Sequence, residues 1–399
     1  MNSPHVIVVG AGIGGLCLAQ GLRGAGIEVS VYERDAQAVA RQQGYRVHIN
    51  ADGRGGLAHN LPADLFELFL ATSGRADTLT PVFDSQLNVL DSWSAGPEEE
   101  PLAVDRLTLR QILLTGLGDT VRFGSRFTHY SLSDDGRVTA YFADGHRVTG
   151  DVLVAADGVN SAVREQYLPE ARIVDAGVRQ ICGKVWLTEE TRKLFLDNMF
   201  GVFTPIIGPD RRFVGLGPVR HLEPIPAAVA RLAPGADVSD VGDYAAVSFG
   251  CRAELLPCSD DELRAMSGAA LRDMVLEIIA DWHPRVRAMV AHWDAESAFP
   301  LILRTSVPIP AWPTSRVTLL GDAIHAMTPA GGVGANTALR DAAALTDALI
   351  DVAAGKPVQA RLGEYEAAMR DYGFAAVRQS AANGIRVIGQ DPLPDHHTG

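Results

Sequence analysis

The chain opens with His5-Val6-Ile7-Val8-Val9, which runs straight into Gly10-Ala11-Gly12-Ile13-Gly14-Gly15. A short apolar run before a glycine cluster reads as a buried strand. Leu16, Ala19, Gln20 and Leu22 continue at helical spacing, and Gly24 with Gly26 ends the helix. Glu28 to Tyr32 reads as a second strand, with Val29 and Val31 alternating and Glu33-Arg34 at its end. The whole is a βαβ unit. In such a unit Gly10 suits a tight turn, Gly12 the close approach of a pyrophosphate, and Gly15 close packing of helix on strand. The helix start at Ile13 and Gly14 offers free N–H groups and partial positive charge to phosphates. Glu33 is placed to accept from ribose hydroxyls. An acid there suits a ribose without a 2′-phosphate, as in FAD or NAD. A glycine turn that holds no ligand is the alternative.

Composition narrows the rest. The 399 residues exceed the ~100–200 of a usual domain, so two intertwined or tandem domains are expected. Hydrophobic residues at 47% and charged ones at 21% exclude a disordered chain, a collagen and a coiled coil. A net charge of -13 argues against nucleic acid or an anionic membrane as partner, since both need a basic footprint. Cys17, Cys182, Cys251 and Cys258 form no C-x-x-C pair. That argues against a disulfide framework or a metal site and fits a reducing, cytoplasmic setting. No signal peptide and no apolar run of ~18–20 residues is read, so no membrane span is expected.

Farther along, Thr120 to Gly150 reads as a meander, with Asp135-Gly136 and Asp144-Gly145 as its turns. Strands are expected over 151–156, 178–187, 199–207, 212–219, 244–251 and 316–320. Residues 261–293 read as mostly helical with a stop near Pro284, 333–353 as a long helix, and 363–384 as a C-terminal one. Residues 91–101 read as a polar loop.

Two further motifs carry chemistry. Asp157-Gly158 ends a buried strand, and Ser161 and Arg164 follow within one helical turn. Alone this could be a capped turn, with Asp157 as N-cap and Arg164 a surface cation. Gly321-Asp322-Ala-Ile-His325 follows another strand and leads through Pro329, Gly332 and Gly334-Ala335-Asn336 into a long helix. Asp322 can accept from a ribityl hydroxyl, and the helix N-terminus can face a flavin C2 carbonyl and stabilise negative charge there. His325 reads as a buried histidine bonded to backbone rather than as a base.

In this order and spacing the three motifs resemble those of the group A FAD-dependent aromatic hydroxylases. These are the para-hydroxybenzoate hydroxylase-like monooxygenases, with salicylate and phenazine hydroxylases and tetracycline-inactivating enzymes among them. The likeness runs to about residue 385. It implies an α/β fold: a Rossmann-like FAD-binding domain of the GR2 type, an inserted sheet-rich substrate domain and a C-terminal helix. The FAD domain is expected over 1–75, 101–174 and 301–360, the substrate domain over 76–100 and 175–300, the helix over 361–390, and a disordered tail over 391–399. Arg106 looks like the family's flavin-contacting arginine at a helix start. Arg110 looks like its companion or, equally, a solvated helix face. Arg46 and His48, in Gly44-Tyr-Arg-Val-His48, share one face of a short strand that looks at flavin or substrate.

The resemblance also implies non-covalent FAD, and NADH or NADPH as co-substrate without a second nucleotide-binding unit. It implies O2, a flavin C4a-hydroperoxide and hydroxylation of an aromatic or polycyclic molecule, by a monomer or homodimer. The substrate is expected along 199–207, 212–217 and a loop at 298–303, where Phe200, Phe203 and Phe213 could stack a ring or belong to the core. That region is largely apolar, which favours a bulky neutral secondary metabolite. Epoxidation or reduction on the same fold, a flavin carrier and a plain NAD dehydrogenase are the competing readings.

Overall fold

A computed structural model describes residues 3–37, 45–77, 79–94 and 101–394. Val317–Leu319 (β18), Val152–Ala155 (β12), His5–Val9 (β1), Glu28–Tyr32 (β2) and Val121–Arg122 (β8) form a parallel sheet in that order. Val6 to Val9 are buried on both faces of it, which is why β1 reads as an unbroken apolar run rather than an alternation. Helix α1 (Ile13–Gly24) is buried from Ile13 to Leu22. It is walled in by α2 (Ala51–Asn60) and α11 (Gly334–Ala353).

A second sheet has seven strands. Its order is β17 (Phe299–Ser306), β13 (Ile173–Trp186), β16 (Tyr244–Arg252), β15 (Phe213–Val219), β14 (Thr204–Ile207), β5 (Leu79–Asp84) and β6 (Val89–Ser94). Only the β14–β5 pair is parallel. Strand period 2 divides its residues between two faces. Val214, Leu216, Val247 and Phe249 join a core with Leu271, Val275, Val286 and Val290 of helices α8 (Gly268–Ile278) and α9 (Pro284–Ala291). Gly215, Gly217, Ser248 and Gly250 occupy the other face.

Two small sheets complete the fold. Arg46–Ile49 (β3), Leu102–Asp105 (β7) and Gly74–Arg75 (β4) form one, in that order. Phe127–Leu132 (β9), Val138–Phe142 (β10) and Arg147–Gly150 (β11) form the meander, turning at Gly136 (φ +80°) and Gly145 (φ +83°).

Several expected elements take other bounds. Residues 261–293 hold three helices, α7 (Asp260–Ala265), α8 and α9, and Pro284 starts the last of them. Proline is favoured at that first position because its missing N–H would be unpaired there anyway. Residues 199–207 are strand only from Thr204. The expected loop at 298–303 is mostly β17, paired with β13. Asp91 to Ser94 of the expected polar loop belong to β6; residues 95–100 lie outside the described residues, as do Gly44 and 395–399 of the expected tail. Asp391, the first residue of that tail, is anchored by its amide to the Ala176 carbonyl (2.9 Å) and by an ion pair with Arg252. The C-terminal helix α12 runs Val358–Val387, longer than 363–384.

Candidate functional site

The three motifs leave the ends of three adjacent parallel strands. Gly10 follows β1, Asp157 follows β12 and Gly321 follows β18. Neighbouring strands lie about 4.8 Å apart, so segments far apart in sequence share one edge.

At the first, the Gly10 amide donates to the Tyr32 carbonyl (2.8 Å) with φ +107°. A Cβ there would collide with the Ala156 carbonyl, and one at Gly15 would collide with the Gly10 carbonyl. Gly12 is different. It is the N-cap of α1 with no side-chain cap, no acid in the first turn, and nothing within 4 Å of where a Cβ would sit. The first helical bond runs from Leu16 N to Gly12 O (3.0 Å), so the amides of Ile13, Gly14 and Gly15 precede it. Gly14 packs inward on Leu320 and Ala338. Glu33 is buried and accepts from the amides of Ala11 and Asp35, both at 2.9 Å; a carboxylate retains further acceptor sites. Arg34 is exposed. Arg110 is no solvated residue. It is 6% exposed, donates Nε to the Ala11 carbonyl (3.0 Å) and stands 3.8 Å from Glu33. The hydrophobic turn of α4 (Arg106–Leu114) faces the core and carries Arg110 in with it.

At the second, Ser161 is the N-cap of α5 (Ala162–Tyr167), not Asp157. Asp157 Oδ2 accepts from the amides of Ala162 (3.0 Å) and Val163 (3.4 Å), while its buried Oδ1 has no partner. Burial raises its pKa. Gly158 has φ +78° and open space around it. Arg164 is no surface cation: it is 4% exposed and donates Nη1 to the carbonyls of Val159 and Ala323, both at 3.1 Å. It ties the second motif to the third.

At the third, Asp322 is exposed at its surface yet partly desolvated by the protein around it. Desolvation raises its pKa; His325 and Arg106 oppose. Arg106 itself starts α4 and donates its amide to the Tyr45 carbonyl (2.6 Å). His325 is fully buried but bonded to a carboxylate, not to backbone: Nε2 lies 2.6 Å from Asp341 Oδ2. Asp341 also accepts from Gly321 N (2.8 Å) and Tyr372 Oη (2.7 Å). Helix α12 straps the loop from outside, with Ser380 Oγ donating to the Thr328 carbonyl (2.7 Å) and Thr328 to Gln390 (2.6 Å). Pro329 is exposed, and Gly332 (φ +64°) and Gly334 lead into α11, which has no side-chain cap and no acid in its first turn. Ala335 is half-buried there. The Asn336 side chain is spent on the chain itself, donating to the His48 and Gly332 carbonyls and accepting from Asn50 N.

Arg46 and His48 do share a face of β3, between the Gly332 loop and the seven-stranded sheet. Arg46 Nε donates to the Pro218 carbonyl (3.1 Å). Burial, then the Arg46 charge, lowers the His48 pKa to about 4, so its imidazole is neutral. Phe200 belongs to the core behind the sheet, Phe213 packs with Val178, Leu303 and Ile388, and Phe203 is 37% exposed over Gly215.

Asp341, Tyr372, Tyr244 and Lys184 escaped the sequence reading. Tyr244 Oη donates to Asp105 Oδ2 (2.8 Å), which Lys184 Nζ approaches at 3.9 Å. Asp341 stands at helical spacing amid apolar α11 positions, a buried acid on a core face, and that oddity was the one available signal.

The donor set fits a dinucleotide: two uncapped helix starts, open space beside Gly12, and the acids Glu33 and Asp322. A FAD binding domain model matches residues 288–380, and a NAD(P)-binding Rossmann-like domain model matches 8–77. A solved structure from Photorhabdus luminescens subsp. laumondii, named for a FAD-containing monooxygenase, superposes with TM-score 0.84 and 34% identity. The match covers 97% of this chain and 99% of that one. The FAD-dependent urate hydroxylase of Klebsiella pneumoniae is 30% identical over 378 residues, covering 90% of this chain and 84% of the hydroxylase. The dual O-methyltransferase/FAD-dependent monooxygenase CTB3 of Cercospora beticola is 35% identical over 414 residues, 99% of this chain and 47% of CTB3. The chain therefore spans about half the length of that fungal relative. On coverage and identity together, the chain belongs to the FAD-dependent monooxygenases.

Proposed function

We propose that this chain uses NAD(P)H and O2 to hydroxylate an aromatic or polycyclic small molecule, as a cytoplasmic enzyme. One observation carries the reading: the uncapped starts of α1 and α11 and the exposed Asp322 carboxylate follow neighbouring strands of one sheet, and Arg46 and His48 lie between the Gly332 loop and the seven-stranded sheet. Bound FAD supplies the oxygen chemistry once a nicotinamide nucleotide has reduced it. The chain's residues do the holding. The Ile13–Gly15 amides and Gly12 receive the pyrophosphate, Glu33 the ribose, with Arg34 and Arg106 alongside. Asp157, Gly158 and Arg164 brace the middle of the cleft. Asp322 receives the ribityl chain, and the amides of Gly334, Ala335 and Asn336 face the ring, with Pro329 and Gly332 shaping the approach. The FAD-binding part comprises 1–75, 101–174 and 301–360. The substrate part comprises 76–100 and 175–300, and its sheet keeps water from the reacting face.

The test is isotopic. Purified protein is given NADPH or NADH, 18O2 and a panel of phenols and naphthols, and products are weighed by mass spectrometry. One 18O atom in a product supports hydroxylation. Nucleotide oxidation that yields only hydrogen peroxide with every compound sinks it.

A further inference from the structure

Residues 388–391 follow α12 and touch both the seven-stranded sheet and the loop that leads from Asp322 into α11. On the sheet side they are pinned by backbone and charge. The Asp391 amide donates to the Ala176 carbonyl (2.9 Å). Arg252 Nη1 donates to the Gly389 carbonyl (3.0 Å) and pairs with the Asp391 carboxylate. Arg211, in the turn between β14 and β15, donates to the Ile385 carbonyl in the last turn of α12, where the helix dipole favours a cation. The sheet is shaped for this contact. β13 shifts register between Asp175 and Arg179. Gly177 lies inside the shift at φ +73°, and a Cβ there would strike the Asp391 carboxylate.

On the loop side the holding group is Gln390. It is 3% exposed, and its Oε1 accepts from Thr328 Oγ1 (2.6 Å). Gly384 leaves room for that amide, since a Cβ there would collide with Oε1. Thr328 stands just before the short turn Pro329–Gly331. Ala330 of that turn shares an apolar cluster with Ile388 and with Ala176 and Val178 of β13. A loop that carries Gly331, Gly332 and Gly334 has little conformational preference of its own. Its partners decide where it sits, and here they hang from the sheet.

We propose that Gln390 is a positioning residue for the flavin. Suspended from the substrate sheet through Asp391 and Arg252, it sets the loop at 328–332, and through that loop where the α11 amides meet the ring. A displacement of the sheet then carries the loop with it, so the substrate side and the flavin side share one adjustment. The proposal rests on the FAD-dependent monooxygenase reading for what the loop faces.

The test reads loop and flavin separately, in the full chain with FAD bound and after its removal. Hydrogen exchange by mass spectrometry follows the peptide 327–334. Gln390→Leu should speed its exchange at least about fivefold, the effect of one lost hydrogen bond, with β1 and β12 unchanged. FAD should bind at least about threefold more weakly, because the loop is competent for a smaller fraction of the time. The visible circular dichroism of the bound flavin should change with it. Thr328→Val should do the same, and Thr328→Ser should not. The double variant Gln390→Leu, Thr328→Val should match either single one within about twofold, because both cut one bond. Arg252→Met touches neither loop nor flavin and removes a half-exposed ion pair of little weight for stability. It should loosen 327–334 in the same direction by a smaller factor, and it carries the test if Gln390→Leu does not fold. Parental exchange at 327–334 in Gln390→Leu or in Arg252→Met overturns the proposal. So does acceleration spread evenly over β1 and β12, the mark of a brace for the whole fold. So does a loosened loop that leaves FAD affinity and dichroism unchanged. A parent that binds no FAD, yet loosens at 327–334 in these variants, would sink the monooxygenase reading and leave the link from sheet to loop standing.

Discussion

Asp341 takes the amide N–H of Gly321 at 2.8 Å, and so a carboxylate on α11 holds the turn that presents Asp322. The turn needs holding, since Gly321 has φ +61° and ψ -143°. The same carboxylate takes His325 Nε2 and Tyr372 Oη; His325 and Asp341 are sealed from solvent and Tyr372 is half-buried. Asp341→Ala would strand three donors. We expect about 3–5 kcal/mol less stability in urea unfolding, the range for removing one partner of a buried pair. A loss under about 1 kcal/mol would mean that water re-pairs the donors.

The same pair makes stability depend on pH. Burial alone would lower the His325 pKa, but the Asp341 carboxylate more than offsets this and the pKa is raised. A raised folded-state pKa stabilises the protein fully below the unfolded value of about 6.5, and the contribution fades as pH climbs through the folded value. The unaltered protein should therefore exceed His325→Gln in stability most below about pH 6.5. The gap should narrow on the alkaline side. A gap constant from pH 5 to 9 would mean that folding leaves the imidazole pKa unshifted, and a gap that widens as pH rises from 5 would mean that the buried imidazole is neutral.

Gly10 and Gly12 stand two residues apart and should fail differently. Gly10→Ala drives a Cβ into the Ala156 carbonyl at a left-handed φ, so the fold itself should lose stability. Gly12→Val places its Cβ where no protein atom lies within 4 Å. The flavin-free protein should melt within about 2 °C of its parent, a surface-substitution effect, yet be purified colourless. Yellow Gly12→Val protein with full FAD content would remove the α1 start from the cofactor site.

These motifs were legible because each is a local signal: an apolar strand, then a glycine or an acid at the fixed offset where the chain turns. What surrounds them was not. Nothing near Arg164 says that the Ala323 carbonyl will receive it, and nothing near Arg110 says that α4 will turn it onto Ala11 and Glu33. For both, a surface cation stayed open as an alternative because their partners are distant in sequence. Phe200 and Phe203 look alike in the chain. Only the pairing of β14 with β15 puts one behind the sheet and the other over Gly215. Residues 261–293 read as mostly helical with a stop near Pro284; the helices break after Ala265 and after Ile278, and Pro284 instead starts the last one.

Asp322→Ala should weaken FAD binding by about 1.5–3 kcal/mol, the worth of a hydrogen bond to a charged group. Flavin fluorescence recovered on dilution measures it. Asp322 forms no structural bond of the kind Asp341 does, so the melting temperature of the flavin-free protein should hardly move. Unchanged affinity would take Asp322 out of the site.

Thiol chemistry offers a check on packing. Burial pushes Cys17, Cys182 and Cys251 up to about 12, and Cys258 upward as well. All four are free thiols. Cys182 and Cys258 are half-exposed and Cys17 and Cys251 buried, so a disulfide reagent at pH 8 should titrate at most the first two in native protein, and slowly, because the thiolate is the reactive form. Detergent should release all four. Rapid labelling of Cys17 would show that the core around α1 opens in solution.

Three neighbouring strand ends supply the holding groups, and the chain between those ends is free to be long. From β1 to β12 and from β12 to β18 it makes two excursions, and the seven-stranded sheet is built from both. The parallel sheet constrains where each excursion leaves and returns, and little of what it does between. Such a body works as a socket. Natural variation can exchange the part that meets the substrate while the strand ends stay in register, and a laboratory graft of β13 to β17 from a relative should inherit the donor's preferences without rebuilding the cleft.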